Sequence, residues 1–282
     1  MIPIIYCGND KIFKGIFLSA LSVARRSKEA LKVYVLTMNY TDGNPSFTCV
    51  CDEKIKVLDD ALKQFNSDSR AVKVDLTEEF KRYFVGGKNC KTNYTPYALL
   101  RLLADKKEVI AEDKAIYLDV DTMACADINI LYGIDVENYE YGAVLDYMGK
   151  FWVAKDYCNS GVLLLNLKKI RQTRLFEKCR EKVYKNRYFM PDQTALHRSA
   201  TARLYLDGRF NEQRDIKPDT VIKHFNKGIK WLPFFKIYNI KQWEVDKVHS
   251  VFNIHDFDED YEFYSSTMDK NGLEKELCCF LR

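Results

Sequence analysis

The chain has 282 residues, of which 47% are hydrophobic and 30% charged, with 44 Lys and Arg against 40 Asp and Glu for a formal net charge of +4. That balance excludes an intrinsically disordered chain, which combines low hydrophobicity with high net charge, and is too weak to point to a nucleic-acid partner. The length suits one large domain or two small ones, with a core large enough to need no staple.

Residues 2–7 are apolar and short and read as a strand. Gly8, Asn9 and Asp10 supply turn chemistry, and from Ile12 to Val23 apolar residues recur at close to helical spacing. Residues 31–37 alternate and are β-branched, which predicts a second strand. A helical pattern follows over 50–65 and a third strand over 71–76. This β-α-β-α-β order predicts an α/β fold with a mostly parallel sheet and helices on both faces. Residues 86–89 form a loop, and 97–104 a short buried helix carrying Arg101. Residues 115–118 are a buried strand that runs into two aspartates, and 141–145 and 161–165 are further apolar strands. Residues 166–187 read as one basic helix, with nine basic and two acidic residues over 168–187. Past Leu204 the segments shorten and aromatics rise, and residues 251–282 carry eight acidic and three basic residues. With no repeat, low-complexity tract or Pro/Ser-rich linker, the chain divides into one domain over 1–235 and a short C-terminal extension over 236–282.

Nine cysteines lack any Cys-x-x-Cys pair, and the four histidines do not stand at zinc-finger spacing beside them. They read as small buried hydrophobes of a reduced, cytoplasmic protein. The N-terminus has no basic stretch before an apolar one, and no apolar run approaches the ~20 residues a membrane helix needs.

The sharpest chemical feature is the run Ile116, Tyr117, Leu118, Asp119, Val120, Asp121. In an extended chain residues i and i+2 point the same way, so two carboxylates converge at the C-terminal end of a buried strand, the edge where open α/β sheets bind ligands. Converging anions repel and resist desolvation unless a cation sits between them, and Mn²⁺ or Mg²⁺ suits carboxylate ligands. The bland alternative is a strand end whose aspartates face water. A phosphohydrolase of the haloacid-dehalogenase type also carries an apolar strand ending in Asp-x-Asp, but in its first strand, and Met123 stands where such enzymes want Thr or Val. Three more features follow. Asn159, Ser160 and Gly161 lead a polar turn into the strand that ends at Asn166. Pro191, Asp192 and Gln193 open a helix, where Asp192 serves either as a cap or in chemistry. His224, Lys227, Gly228, Lys230 and Trp231 follow a strand over 220–223, where an imidazole can complete a carboxylate site and lysines can meet phosphate.

Together these features resemble the family 8 glycosyltransferases, the class of the bacterial lipopolysaccharide galactosyl- and glucosyltransferases, over residues 1–231. The resemblance implies a GT-A fold, a UDP-sugar donor, a divalent metal and retention of anomeric configuration. It implies that Asp119, Asp121 and His224 hold Mn²⁺ (or Mg²⁺), with Val120 between them at the donor. It implies that Cys7, Gly8, Asn9 and Asp10 meet uridine and ribose. Arg101 and Asp146 contact the donor sugar or the pyrophosphate side, Asn159, Ser160 and Asp192 lie at the sugar, and Gln193 lies near the anomeric carbon. Lys230 contacts the diphosphate. The chain departs from the family pattern after the histidine, where Lys227 replaces a glycine, Gly228 comes one residue later, and no proline separates Lys230 from Trp231.

Gln193 offers a neutral carbonyl, too weak for a nucleophile, so attack by the acceptor on the same face is expected, with double displacement through Asp192 or Asp146 as the competing course. Glucose or galactose is the expected sugar, on a saccharide or lipid-linked acceptor. A nucleotide-sugar-binding protein without turnover is the non-enzyme alternative. The basic stretch over 168–187 is a solvated face or a contact for anionic lipid, and residues 223–247, with six lysines and six aromatics, suit peripheral contact with the inner face of a membrane, a closing lid or a plain packed edge.

Overall fold

The computed structural model describes residues 1–90, 95–230 and 236–273, without the side chains of residues 229, 230, 236 and 237. The first half alternates strands and helices: β1 (Ile2–Cys7), α1 (Phe13–Arg26), β2 (Leu31–Thr37), α2 (Asp52–Lys63), β3 (Arg70–Asp75), α3 (Thr77–Phe84) and β4 (Lys114–Leu118). Then come β5 (Thr122–Ala124), α4 (Asn129–Tyr132), β6 (Tyr141–Leu145), α5 (Gly149–Trp152), β7 (Cys158–Asn166), α6 (Leu167–Thr173), α7 (Leu175–Lys185), α8 (Pro191–Ser199) and β8 (Arg203–Tyr205). The chain continues through β9 (Ile222–His224), β10 (Gly228–Lys230), β11 (Lys236–Tyr238), α9 (Val245–Lys247) and α10 (Asp258–Lys270).

Seven strands form the central sheet in the order β3-β2-β1-β4-β7-β6-β8. The pairs β3·β2, β2·β1, β1·β4 and β6·β8 are parallel, and only β7 runs against both of its neighbours. The sheet is therefore mostly parallel, as its β-α-β order predicts. Both faces are covered, and the period of two along each strand sorts residues between them. Ile4, Tyr6, Val33, Val35, Ile116 and Leu164 join one core, and Ile5, Tyr34, Leu36, Tyr117, Leu163 and Leu165 the other.

Three expectations are corrected. The single basic helix over 166–187 is two helices, α6 and α7, broken at Arg174 in the left-handed region at φ 56°. The break lets α6 bury Leu167 and Ile170 while α7 turns to bury Phe176, Cys179 and Val183, a division that a uniform run of charge hides. The buried helix over 97–104 is a 3-10 segment, Pro96–Leu103. The strand before His224 starts later and includes the histidine itself, as β9.

The described part of the expected extension packs into the same core as α1. Tyr261, Tyr264 and Met268 of α10 join Ile16, Phe17 and Ala20, with the Phe17 and Tyr264 rings edge to face at 5.2 Å. Asp260, fully buried, accepts from Arg25 Nε at 2.7 Å and Arg26 Nη1 at 2.9 Å. A buried carboxylate held by two guanidiniums ties α10 to the end of α1.

Two ladders bring the predicted chemistry together. The antiparallel register of β4 on β7 sets Leu118 opposite Val162, so the residues just past β4 meet the start of β7. A short antiparallel ladder of β5 on β9 sets Thr122 opposite His224, so the second aspartate meets the histidine.

Candidate active site and metal centre

Asp119, Val120 and Asp121 form the turn between β4 and β5. The turn is pinned by four hydrogen bonds. Asp119 N–H donates to the Gly161 carbonyl at 2.7 Å, Thr122 N–H and Oγ1 donate to the Asp119 carbonyl at 3.2 and 2.8 Å, and Phe225 N–H donates to the Asp121 carbonyl at 2.8 Å. Asp119, Asp121 and His224 each offer one ligand atom, all within 4.8 Å of one another. His224 Nε2 lies 3.1 Å from Asp121 Oδ1 and 3.9 Å from Asp119 Oδ2. Gly161 borders this point. A Cβ there would stand 2.2 Å from His224 Cε1 and 2.9 Å from Asp119 Oδ2, so the close approach requires glycine. Burial alone would raise the Asp121 pKa, but His224 and Lys241 outweigh it and hold the carboxyl well below the usual range.

The histidine's tautomer follows from a chain of hydrogen bonds. Asp146 is a pure acceptor when ionised, and its Oδ2 accepts from Asn159 Nδ2 at 2.9 Å and from Gln193 Nε2 at 3.1 Å. That orients Asn159 so that its Oδ1 accepts from Gly161 N–H and from Asn211 Nδ2, both at 2.9 Å. Asn211 Oδ1 therefore faces His224 Nδ1, 3.0 Å away. Nδ1–H of His224 thus donates to Asn211, and Nε2 is the nitrogen that faces the two carboxylates. One imidazole nitrogen and two carboxylate oxygens within 4.8 Å of one another suit a divalent ion.

Arg101, buried, stitches Asp192 and Ser160 to this centre. Its guanidinium reaches Asp119 Oδ1 at 2.8 Å, Asp192 Oδ2 at 3.2 Å and the Ser160 carbonyl at 2.6 Å, and it stacks 3.9 Å from the centre of the Tyr117 ring. Burial would lower its pKa, but Asp192, Tyr117 and Asp119 more than offset this and keep it charged. Tyr117 Oη also donates to Asp119 Oδ1 at 2.7 Å. Asp192 is no helix cap, because Met190 holds the cap position of α8; it accepts instead from Ser160 Oγ at 3.0 Å. Gln193 Oε1 accepts from Ser160 N–H at 3.0 Å. Asp146 Oδ1 accepts from Met148 and Gly149 N–H at 3.0 and 2.6 Å, so both of its oxygens are saturated.

The first strand-turn lies at the same sheet edge, since β1 pairs with β4. Cys7 is buried at the end of β1, and burial pushes its thiol pKa up. Gly8 N–H donates to Leu36 O at 3.1 Å. Asn9 accepts from Ile12 N–H at 3.2 Å and donates to Ser46 O at 3.1 Å, while Asp10 pairs with Lys54 at 2.8 Å. Both side chains hold the turn. Past the histidine, Lys227 is exposed and Gly228 pairs with Tyr238, where a Cβ would stand 2.2 Å from the tyrosine oxygen. Gly228 thus answers to packing on Tyr238. The Lys230 side chain and residues 231–235, including Trp231, Phe234 and Phe235, lie outside the described residues. Lys223, expected in a surface patch, is buried instead, donating to the Glu212 and His224 carbonyls at 3.4 and 3.0 Å. Burial pushes its pKa down to about 8.

Asn211 and Lys241 are the site residues that motif reading misses. Neither sits in a motif with the others; the 3-10 turn Gly208–Asn211 and the β5·β9 ladder bring Asn211 to the imidazole.

Solved structures give the architecture its class. An active-site mutant of LgtC aligns with a TM-score of 0.66 at 20% identity, covering 94% of this chain and 96% of that one. The galactosyltransferase LgtC in complex with donor and acceptor sugar analogues aligns with a TM-score of 0.63 at 19% identity, over the same shares. The fold is GT-A. The family follows from the sequence: the model for glycosyl transferase family 8 matches residues 3–244, and the chain belongs to that family. It is 31% identical over 115 residues to glycosyltransferase GlyA of Streptococcus pneumoniae serotype 4, an alignment that covers 41% of this chain and 15% of GlyA. The chain spans well under half of the length of the curated relatives it matches, and it belongs to a family whose members generally depend on a divalent metal.

Proposed function

We propose that the chain is a retaining, metal-dependent hexosyltransferase that moves glucose or galactose from a UDP-sugar to a saccharide or lipid-linked acceptor. The observation that carries this reading is the convergence of Asp119, Asp121 and His224 on one point, with Gly161 leaving room beside it. The LgtC complex with donor and acceptor sugar analogues supports a sugar donor and a sugar acceptor. Bound there, Mn²⁺ or Mg²⁺ supplies Lewis-acid charge neutralisation at the departing diphosphate. Cys7, Gly8, Asn9 and Asp10 edge the nucleoside, and Lys227, Gly228 and Lys230 the phosphate side. Arg101 and Asp192 fix the sugar side, and Asn159 and Ser160 hold Asp146 and Gln193 in place.

The saturation of Asp146 by four donors favours same-face attack. A carboxylate has about four lone-pair sites, and here each is engaged, which lowers its nucleophilicity toward carbon. Asp192 spends Oδ2 on Ser160 and Arg101. Gln193 presents a neutral amide locked at both ends by Ser160 and Asp146, suited to orient a sugar face and not to displace a leaving group. Retention then requires the acceptor to approach on the side that the diphosphate leaves. The family sets aside the Asp-x-Asp phosphohydrolase weighed from the sequence. Seven described cysteines are free thiols, which suits a reducing cytoplasm, and no helix among the described residues is long and apolar enough to cross a membrane.

The test is UDP release from a panel of UDP-sugars, with Mn²⁺ and with chelator, in the absence of acceptor. Chelator-sensitive release from UDP-glucose or UDP-galactose is expected. Asp119→Ala or Asp121→Ala should lower it by at least the ~10²–10³ typical of one electrostatic stabiliser. UDP binding with no turnover of any sugar, alone or with saccharide acceptors, would make the chain a nucleotide-sugar-binding protein. A glycosyl adduct trapped on Asp192 or Asp146 would replace same-face attack by double displacement.

A further inference from the structure

We propose that Lys241 is a positioning residue of the metal centre, acting through Asp121, and that the segment after residue 236 is therefore part of that centre. This rests on the metal reading above. The two oxygens of Asp121 have different tasks. Oδ1 faces His224 Nε2 at 3.1 Å, at the point shared with Asp119, and Oδ2 accepts from Lys241 Nζ at 2.5 Å. The same ammonium donates to the Phe225 carbonyl at 3.1 Å. One side chain thus links a carboxylate of the β4–β5 turn to the backbone next to the histidine.

Lys241 is itself held. Its N–H donates to Glu244 Oε2 at 2.9 Å. Gln242, fully buried, donates from Nε2 to the Val120 carbonyl at 2.6 Å. The Trp243 ring covers Gly15, where a Cβ would stand 2.5 Å from the ring and 2.8 Å from the Val120 carbonyl. Lys241 and Gln242 therefore grip the turn that carries both aspartates, and Trp243 anchors the segment on α1. A protonated lysine cannot ligate a cation, so its place on Oδ2 leaves Oδ1 as the ligating atom and fixes the carboxylate plane. It also offsets part of the repulsion between Asp119 and Asp121 before an ion arrives. Partners of ligating carboxylates act on metal affinity in this way, and their loss typically costs 10–100-fold.

The experiment measures Mn²⁺ affinity on the full chain, by calorimetry and by the electron paramagnetic resonance signal of free Mn²⁺. It compares the native chain with Lys241→Met, Lys241→Arg and His224→Ala. Lys241→Met is expected to bind Mn²⁺ 10–100-fold more weakly, and Lys241→Arg, which keeps charge and donors, to recover most of the loss. His224→Ala should abolish binding. Equal or tighter binding by Lys241→Met would overturn the proposal, because a bystander leaves affinity unchanged and a competing cation, once removed, raises it. A loss that Arg does not recover would also overturn it. If Lys241→Met does not fold, Lys241→Gln, which keeps a donor without the charge, takes its place under the same criteria. Absence of Mn²⁺ binding by the native chain would overturn the metal reading itself, whereas native binding with an unaffected Met variant overturns this inference alone.

Discussion

Gly161 illustrates how one hydrogen atom sets the site. The Asp119 and His224 side chains occupy the space that any other residue would need for its Cβ, and a contact of 2.2 Å forces one partner to move. His224 is fixed by Asn211 on its far nitrogen and Asp119 by Arg101 and Tyr117, so neither moves freely. Gly161→Ala is expected to keep the fold and to lose at least ~10² in metal-dependent UDP release, the cost of displacing a reacting group by about an ångström. Release at the native rate would remove Asp119 and His224 from the centre. The aspartates, His224 and Gly161 were legible in the sequence because their types and order are chemically specific. Asn211 was not, because an asparagine in a polar loop looks like any turn residue until the imidazole beside it is known. Lys241 was hidden among other lysines for the same reason.

At the scale of elements, the strands were easier to read than the helices. A buried strand is a short apolar run whichever face it shows, and β1, β2, β4 and β7 fell where such runs stood. The split of α6 from α7 depends on which residues find a core. Glu112, in the segment leading into β4, links that segment to β2: it accepts from Lys32 Nζ at 2.8 Å and from Tyr34 Oη at 2.8 and 3.0 Å. Partial burial would raise its pKa, but the bonds from Lys32 and Tyr34 outweigh it and hold it below the ordinary 4.5. A depressed carboxylate binds fewer protons in the folded state, so its stabilisation is present above the ordinary pKa and lost as pH falls through the folded one. Glu112→Gln should therefore cost about 1 kcal/mol at neutral pH, a difference that shrinks in acid below the ordinary 4.5. Urea unfolding of both proteins across pH checks it, and a difference that persists unchanged in acid would contradict it.

At the scale of the molecule, one surface departs from the rest. Lys178, Lys182 and Lys185 of α7 and Arg198 of α8 line a cleft of about 320 Å³ that includes Glu181 as its one acid. Phe151, Trp152 and Phe189 are exposed at 73%, 77% and 81%, with Phe189 in the loop that joins α7 to α8. Were the acceptor lipid-linked, these cations would face the anionic membrane surface that presents it. Near such a surface each contributes about 1 kcal/mol, screened by salt. Co-sedimentation with phosphatidylserine vesicles at low salt is expected, and its loss when Lys178, Lys182 and Lys185 are changed to Glu. No sedimentation at low salt would leave the acceptor soluble and the α7 charges a solvated face.

The α/β order, the mostly parallel sheet, the two aspartates, the histidine and the family are legible residue by residue, because period, turn chemistry and residue type are local and survive without coordinates. The tertiary structure alone decided which atoms meet. The antiparallel registers of β4 on β7 and β5 on β9 bring Asp119 to Gly161 and Asp121 to His224. The hydrogen-bond chain from Asp146 sets the imidazole tautomer, and packing of the C-terminal segment on α1 carries Lys241 to Asp121. Residues 121 and 241 stand 120 positions apart, and contacts at that separation are fixed by the packing of whole elements, which no local pattern in the chain encodes.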